Sequence, residues 1–107
     1  MTYLVVHTTT DSEELARNLA NAAVQQSLAA CVQIVPIESI YRWEGKLESA
    51  REFRCEMKTR ADCVSQLKEL IREIHTYDVP EIIEIALHDL SPEYKSWLDS
   101  QLQPAAG

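Results

Sequence analysis
Glycine is nearly missing from this chain: Gly45 is the only one before the final residue, Gly107. No glycine-rich loop can therefore cradle a phosphate. Neither a G-x-S-x-G nucleophile turn nor a Cys/His signature is present, so the sequence offers no nucleophilic catalyst and reads as a protein that is not an enzyme. Cysteine is scarce and odd in number. Cys31, Cys55 and Cys63 stand far apart with no C-x-x-C pair, which excludes a disulfide framework and fits a reducing cytoplasm. Basic residues are also in short supply, 10 against 17 acidic ones, for a net charge of -7. A nucleic-acid partner, held by its phosphates, is excluded on that balance, whereas attraction of cations is favoured. Long apolar runs are lacking, and Asp11, Glu13, Glu14 and Arg17 interrupt the N-terminal region. No membrane span and no signal peptide is expected.

What is present suits one small domain. The 107 residues are 46% hydrophobic, which gives a thin core that oligomerisation would relieve. Tyr3 to Thr8 is β-rich and predicts a first strand. Asp11, followed three residues later by Glu14, predicts an N-cap, and Leu15, Leu19, Ala22 and Ala23 continue at helical spacing to about Ser27. A long extended segment from Ala29 to Trp43 turns at Glu44-Gly45 and returns from Lys46 to about Lys58. Thr59 with Asp62 predicts the cap of a second helix, striped by Val64, Leu67, Ile71 and Ile74. Val79-Pro80 leads to a fourth strand from Ile82 to His88. Ser91-Pro92 then opens a short last helix with Tyr94, Leu98 and Leu102 on its apolar side. The order predicts an α+β fold, a ferredoxin-like βαββαβ sandwich with a long second-to-third-strand hairpin and a short C-terminal helix. It forms one domain over residues 1–103, with a disordered tail at 104–107.

The hairpin makes demands of its own. An arm of about fifteen residues spans roughly 45–50 Å, whereas a domain of this size has a radius of gyration near 13 Å. Pro36 predicts a bulge or an edge in mid-arm. The tip from Ile37 to Leu47 carries Ile40, Tyr41 and Trp43, an apolar edge that invites another chain. Pairing about Glu44-Gly45 places Val32 and Ile34 opposite Met57 and Cys55, on the face toward the helices. Cys31, Gln33 and Val35 then oppose Lys58, Glu56 and Arg54 on the other face, which is either solvated or covered by a neighbouring subunit.

Several segments resemble the CutA divalent-cation tolerance family in order and spacing. They are Ala30-Cys31-Val32, the run from Ser39 to Glu48 (SIYRWEGKLE), Glu52, Lys58-Thr59, and the run from His75 to Glu81 (HTYDVPE). The resemblance implies a compact, very stable homotrimer, related in shape to the PII signalling proteins. It also implies divalent metal binding, copper in particular, and a response to metal ion. In members for which copper ligands are proposed, a Cys or His closes the first strand and a His precedes the Tyr by two. His7 and His75 match those positions. The chain departs from the family at Gln33, often Asn, and at Arg54 and Glu56, often apolar, which bears on the inter-subunit face.

The expected topology brings His7, His75, Tyr77 and Glu81 to the end of the domain that carries the hairpin tip. Two imidazoles with a nearby carboxylate suit copper or zinc, although ordinary structural histidines would read the same way. Cys31 is either a soft ligand for Cu(I) or a structural thiol, while Cys55 and Cys63 read as core. Tyr41 and Trp43 serve as interface anchors or as a ligand platform. With Lys58, Tyr77, Pro80 and Glu81 they are the candidates for an inter-subunit or ligand cleft. His88, at the opposite pole, has no assigned role. No cofactor is required. Acylphosphatases and RNA-binding domains share the topology, but the anion loop of the first and the aromatic motif of the second are missing. Three readings follow: a trimeric metal-responsive protein, a PII-like sensor of a small ligand, and a structural interaction module.

Overall fold
Alternation along the first strand decides which side of the sheet is covered. In the computed structural model, which describes residues 2–105, that strand is β1 (Tyr3–Thr10). Leu4, Val6, Thr8 and Thr10 are buried against the helices, whereas Val5 and His7 look to the other side and are half-buried. Helix α1 (Glu13–Gln25) contributes Ala16, Leu19 and Ala23 to the core. Helix α2 (Val64–Ile74) contributes Val64, Leu67, Leu70 and Ile71. The remaining elements are β2 (Cys31–Trp43), β3 (Lys46–Arg60), β4 (Ile83–Ala86) and α3 (Pro92–Gln101). The strands form one antiparallel sheet in the order β2-β3-β1-β4, the ferredoxin-like arrangement expected.

The hairpin register is the expected one, with Val32 opposite Met57, Ile34 opposite Cys55 and Gln33 opposite Glu56. Glu44 and Gly45 both take positive φ, 49° and 78°, the backbone that a two-residue turn needs to match strand twist. Pairing runs through Pro36 opposite Phe53 without a bulge. Strand β2 is the outer strand, where a residue with no N–H costs no ladder bond on its open side. The arms outrun the helices, so that Ile40 and Leu47 near the tip are 71% and 73% exposed. The molecule is accordingly 47 Å long but only 26 by 21 Å across.

Four local expectations are corrected. The cap of α1 is Ser12, not Asp11: its Oγ accepts from the Leu15 N–H at 3.1 Å, because β1 continues to Thr10 and the helix starts later. Thr59 and Asp62 do not cap α2. Thr59 is still in β3 and donates its hydroxyl to the Leu28 carbonyl at 2.6 Å, Asp62 pairs with Arg60, and the chain enters the helix through a 3₁₀ turn over Ala61–Cys63. Helix α1 ends at Gln25 rather than Ser27, since Ser27 takes φ 57°. The Ser27 and Leu28 N–H groups bond back to the Val24 and Ala23 carbonyls, a Schellman closure made without glycine. Strand β4 is shorter than the expected span, although the Leu87 N–H still bonds the Tyr3 carbonyl.

Ser91 and Pro92 open α3 as expected, and Leu98 and Leu102 bury its apolar side. The helix docks at the pole away from the hairpin tip. Gln103 then donates to the Ser27 carbonyl, and Pro104 and Ala105 follow in coil. Residues 106 and 107 of the expected disordered tail lie outside the described residues.

Candidate functional site
The C-terminal end of β1, the loop between α2 and β4, and the hairpin tip meet at one end of the domain. His75 caps α2 through its N–H to the Ile71 carbonyl and then turns the chain into extended backbone. The residue is only 8% exposed. Nε2 lies 2.7 Å from the Thr9 carbonyl oxygen, and Nδ1 lies 3.1 Å from the Tyr77 backbone nitrogen. A carbonyl can only accept and a backbone N–H can only donate, so the partners assign the neutral Nε2–H tautomer and occupy both nitrogens.

Tyr77 stacks at a tilt on that ring, 4.6 Å between centroids. Its hydroxyl donates to Glu52 Oε2 at 3.1 Å and accepts from the Asp11 N–H at 3.0 Å. Burial, with the carboxylate of Glu52 as hydrogen-bond acceptor and nearby charge, pushes the Tyr77 phenol up to about 12. The loop is thus tied to β1 and to β3 at once.

Between this loop and the end of β2 lies a cleft of about 530 Å³. Tyr41, Trp43 and Tyr77 supply aromatic walls, and Glu52, Asp78 and Glu81 supply carboxylates. None of the nine lining residues is Lys, Arg or His. Four residues expected at a cleft, Tyr41, Trp43, Tyr77 and Glu81, are therefore brought together. Pro80 belongs to the same loop without lining the wall. Lys58 is corrected out of this cleft: its register opposite Val5 and Cys31 puts it near the other pole, with Nζ 5.5 Å from the Tyr94 ring centre. Glu52 and Asp78 were not singled out from the sequence as wall residues. The strand alternation that sets Arg54 and Glu56 on the open face sets Glu52 there too, and that was the available signal.

The donors expected for copper or zinc do not fit that role within one chain. His75 has no free nitrogen. His7 lies on the open face, where its Nε2 is 3.9 Å from Glu56 Oε2, a carboxylate that Arg54 also engages at 3.0 Å. Among the described residues no group of three or more His, Cys, Asp or Glu stands ready to hold a metal ion. Cys31 is a half-buried free thiol, while Cys55 and Cys63 are buried and free, and burial raises the Cys55 thiol to about 11. His88 is exposed at the far pole.

Comparison with known proteins adds a second line of observation. Residues 4–101 match the family model described as CutA1 divalent ion tolerance protein. The chain is similar to the chloroplastic protein CutA of Arabidopsis thaliana, with 45% identity over 96 residues, 89% of this chain and 53% of that protein. It thus spans about half the length of that relative. It is 43% identical over 95 residues to the divalent-cation tolerance protein CutA of Thermus thermophilus, covering 88% of this chain and 92% of the other. The crystal structure of CutA1 from Oryza sativa superposes with a TM-score of 0.93 at 36% identity, over 98% of this chain and 97% of that one. No described helix is long and apolar enough to cross a membrane.

Proposed function
The chain belongs to the CutA1 divalent ion tolerance family, and from that premise we propose that it acts as a homotrimeric binding protein of the response to divalent cations, not as an enzyme. The observation that carries this reading is the hairpin. Its arms extend past both helices and leave Ile40 and Leu47 exposed at the tip, while Ile83 and Ile85 are half-exposed on the open sheet face. Neighbouring copies would cover both surfaces and would enclose the cleft at Tyr41 and Trp43 between subunits. Among the described residues of one chain no three or more His, Cys, Asp or Glu are grouped to hold a metal ion, so a divalent ion such as copper would draw ligands from more than one copy. No resident cofactor is required. The three unpaired cysteines suit a cytoplasmic setting.

Light scattering on the native protein tests the assembly, with a mass three times that of the chain expected and Tyr41→Asp expected to lower it. A monomer mass for the parent protein would overturn the reading. Calorimetric titration with Cu(II) and Zn(II) tests the cation response directly.

The cleft favours a second reading, a sensor of small ligands with the shape logic of PII proteins. Its volume falls in the range of small-molecule sites, and three of its nine lining residues are aromatic. A thermal-shift screen of nucleotides, carboxylates and amines tests that reading.

A further inference from the structure
We propose that the cleft beneath the hairpin tip selects a compact organic cation, an ammonium or an amidinium-like group, over neutral and anionic molecules of the same size. The proposal rests on reading the cleft as a ligand site and names the class of ligand. Three rings from two separated segments, Tyr41 and Trp43 on β2 and Tyr77 in the loop after α2, line one cavity. The face of an aromatic ring carries negative potential and attracts a cation placed over it, most strongly when water is excluded. Glu52, a residue only 9% exposed, adds a carboxylate whose Oε2 the Tyr77 hydroxyl holds. Asp78 and Glu81 add two more at the loop side, and no lining residue offsets the three negative charges.

An anion entering this space would meet three carboxylates. A neutral molecule could donate a hydrogen bond to them but would gain no charge attraction. A bare metal ion would need convergent donors, yet no metal-holding group of three or more His, Cys, Asp or Glu exists among the described residues. Glu52 stands on β3, whereas Asp78 and Glu81 stand on the loop. An organic cation suits the rings and the acids at once: its charge lies over a ring and its N–H groups reach a carboxylate.

The test uses the full chain in its native assembly, in phosphate buffer free of amines. Benzamidinium, benzylammonium, benzyl alcohol and benzoate are titrated by calorimetry or by ligand-observed magnetic resonance. The two cations should bind at least about tenfold more tightly than the alcohol and the carboxylate, with the margin shrinking as salt rises. Glu52→Gln should remove most of that preference. Should Glu52→Gln fail to fold, Asp78→Asn on the loop must still cut cation affinity by about threefold, and unchanged affinity there overturns the proposal. Equal binding of benzyl alcohol or benzoate overturns the cation class but leaves the cleft as a ligand site. Failure of all four probes to bind overturns the cleft reading itself.

Discussion
The imidazole of His75 closes the gap between the end of α2 and the end of β1, with its Nε2–H donating to the Thr9 carbonyl at 2.7 Å. The same ring accepts from the Tyr77 N–H, so one buried side chain satisfies two backbone groups that belong to different elements. Removing it leaves both without partners and opens a void. His75→Ala should therefore destabilise the protein by about 2–4 kcal/mol, combining lost burial with unsatisfied polar groups. Guanidinium unfolding at fixed protein concentration checks this, with a lower midpoint and an unchanged slope expected. A midpoint equal to that of the parent protein would show that the bridge carries no stability.

Tyr77 makes a prediction at alkaline pH. Its phenol is held neutral by burial and by donation to Glu52, with its ionisation pushed up to about 12 from an ordinary value near 10. The folded-state value is the raised one, so the stabilising contribution is complete below pH 10 and is lost as pH rises from about 10 to about 12. Melting temperature should fall across that window in the parent protein and fall less steeply in Tyr77→Phe. Tyr3, also raised by burial, remains in both proteins and cancels in the comparison. Identical slopes would mean that Tyr77 ionises like an exposed tyrosine.

The hairpin was legible because two signals agree there: Glu44-Gly45 marks a turn, and strand alternation then assigns every partner from Cys31 opposite Lys58 to Trp43 opposite Lys46. Ser91-Pro92 was legible for a similar local reason, since a cap and a fixed φ act within one turn. Ser27 was not, because helices usually close on glycine and here a serine takes the left-handed conformation. Thr59 and Asp62 imitate a helix start, but the Leu28 carbonyl and Arg60 compete for their side chains, and those partners are distant or buried. At the site, His75 could be placed at the right end of the domain from topology alone. Its loss of both nitrogens to Thr9 and Tyr77 depends on how the loop crosses β1, which no spacing in the sequence records.

At the other pole a single guanidinium ties the last helix down. Arg60, nearly fully buried, donates from Nε to Asp62 at 2.5 Å, from Nη1 to Asp99 at 3.2 Å, and from Nη2 to the Gln103 carbonyl at 2.6 Å. Tyr3 reinforces the arrangement by donating to Asp99. Arg60→Met should cost roughly 2–4 kcal/mol, toward the lower part of the range for a broken buried pair because Asp99 is part-exposed. Amide hydrogen exchange should speed up in α3 more than in α1. Equal changes in the two helices would show global loosening and not release of α3.

Copper separates the two candidate histidines. His7 presents its ring on the open sheet face beside Glu56, whereas both nitrogens of His75 are occupied. Metal binding at His75 would break at least one of these hydrogen bonds inside a packed loop. His7→Ala should therefore weaken Cu(II) binding by about tenfold or more, as loss of a ligand does. His75→Ala should lower stability yet leave the affinity of the folded assembly within about twofold, and His88→Ala should change neither. Copper binds most donor sets more tightly than its neighbours in the series, so affinity alone would decide nothing, and the comparison among the three variants carries the argument. Circular dichroism and light scattering on each variant guard against a loss that merely reports unfolding. If His75→Ala, folded and of unchanged mass, weakened copper binding as much as His7→Ala, the ring would have to release Thr9 or Tyr77 in favour of the metal. The loop that lines the cleft would then move whenever copper bound.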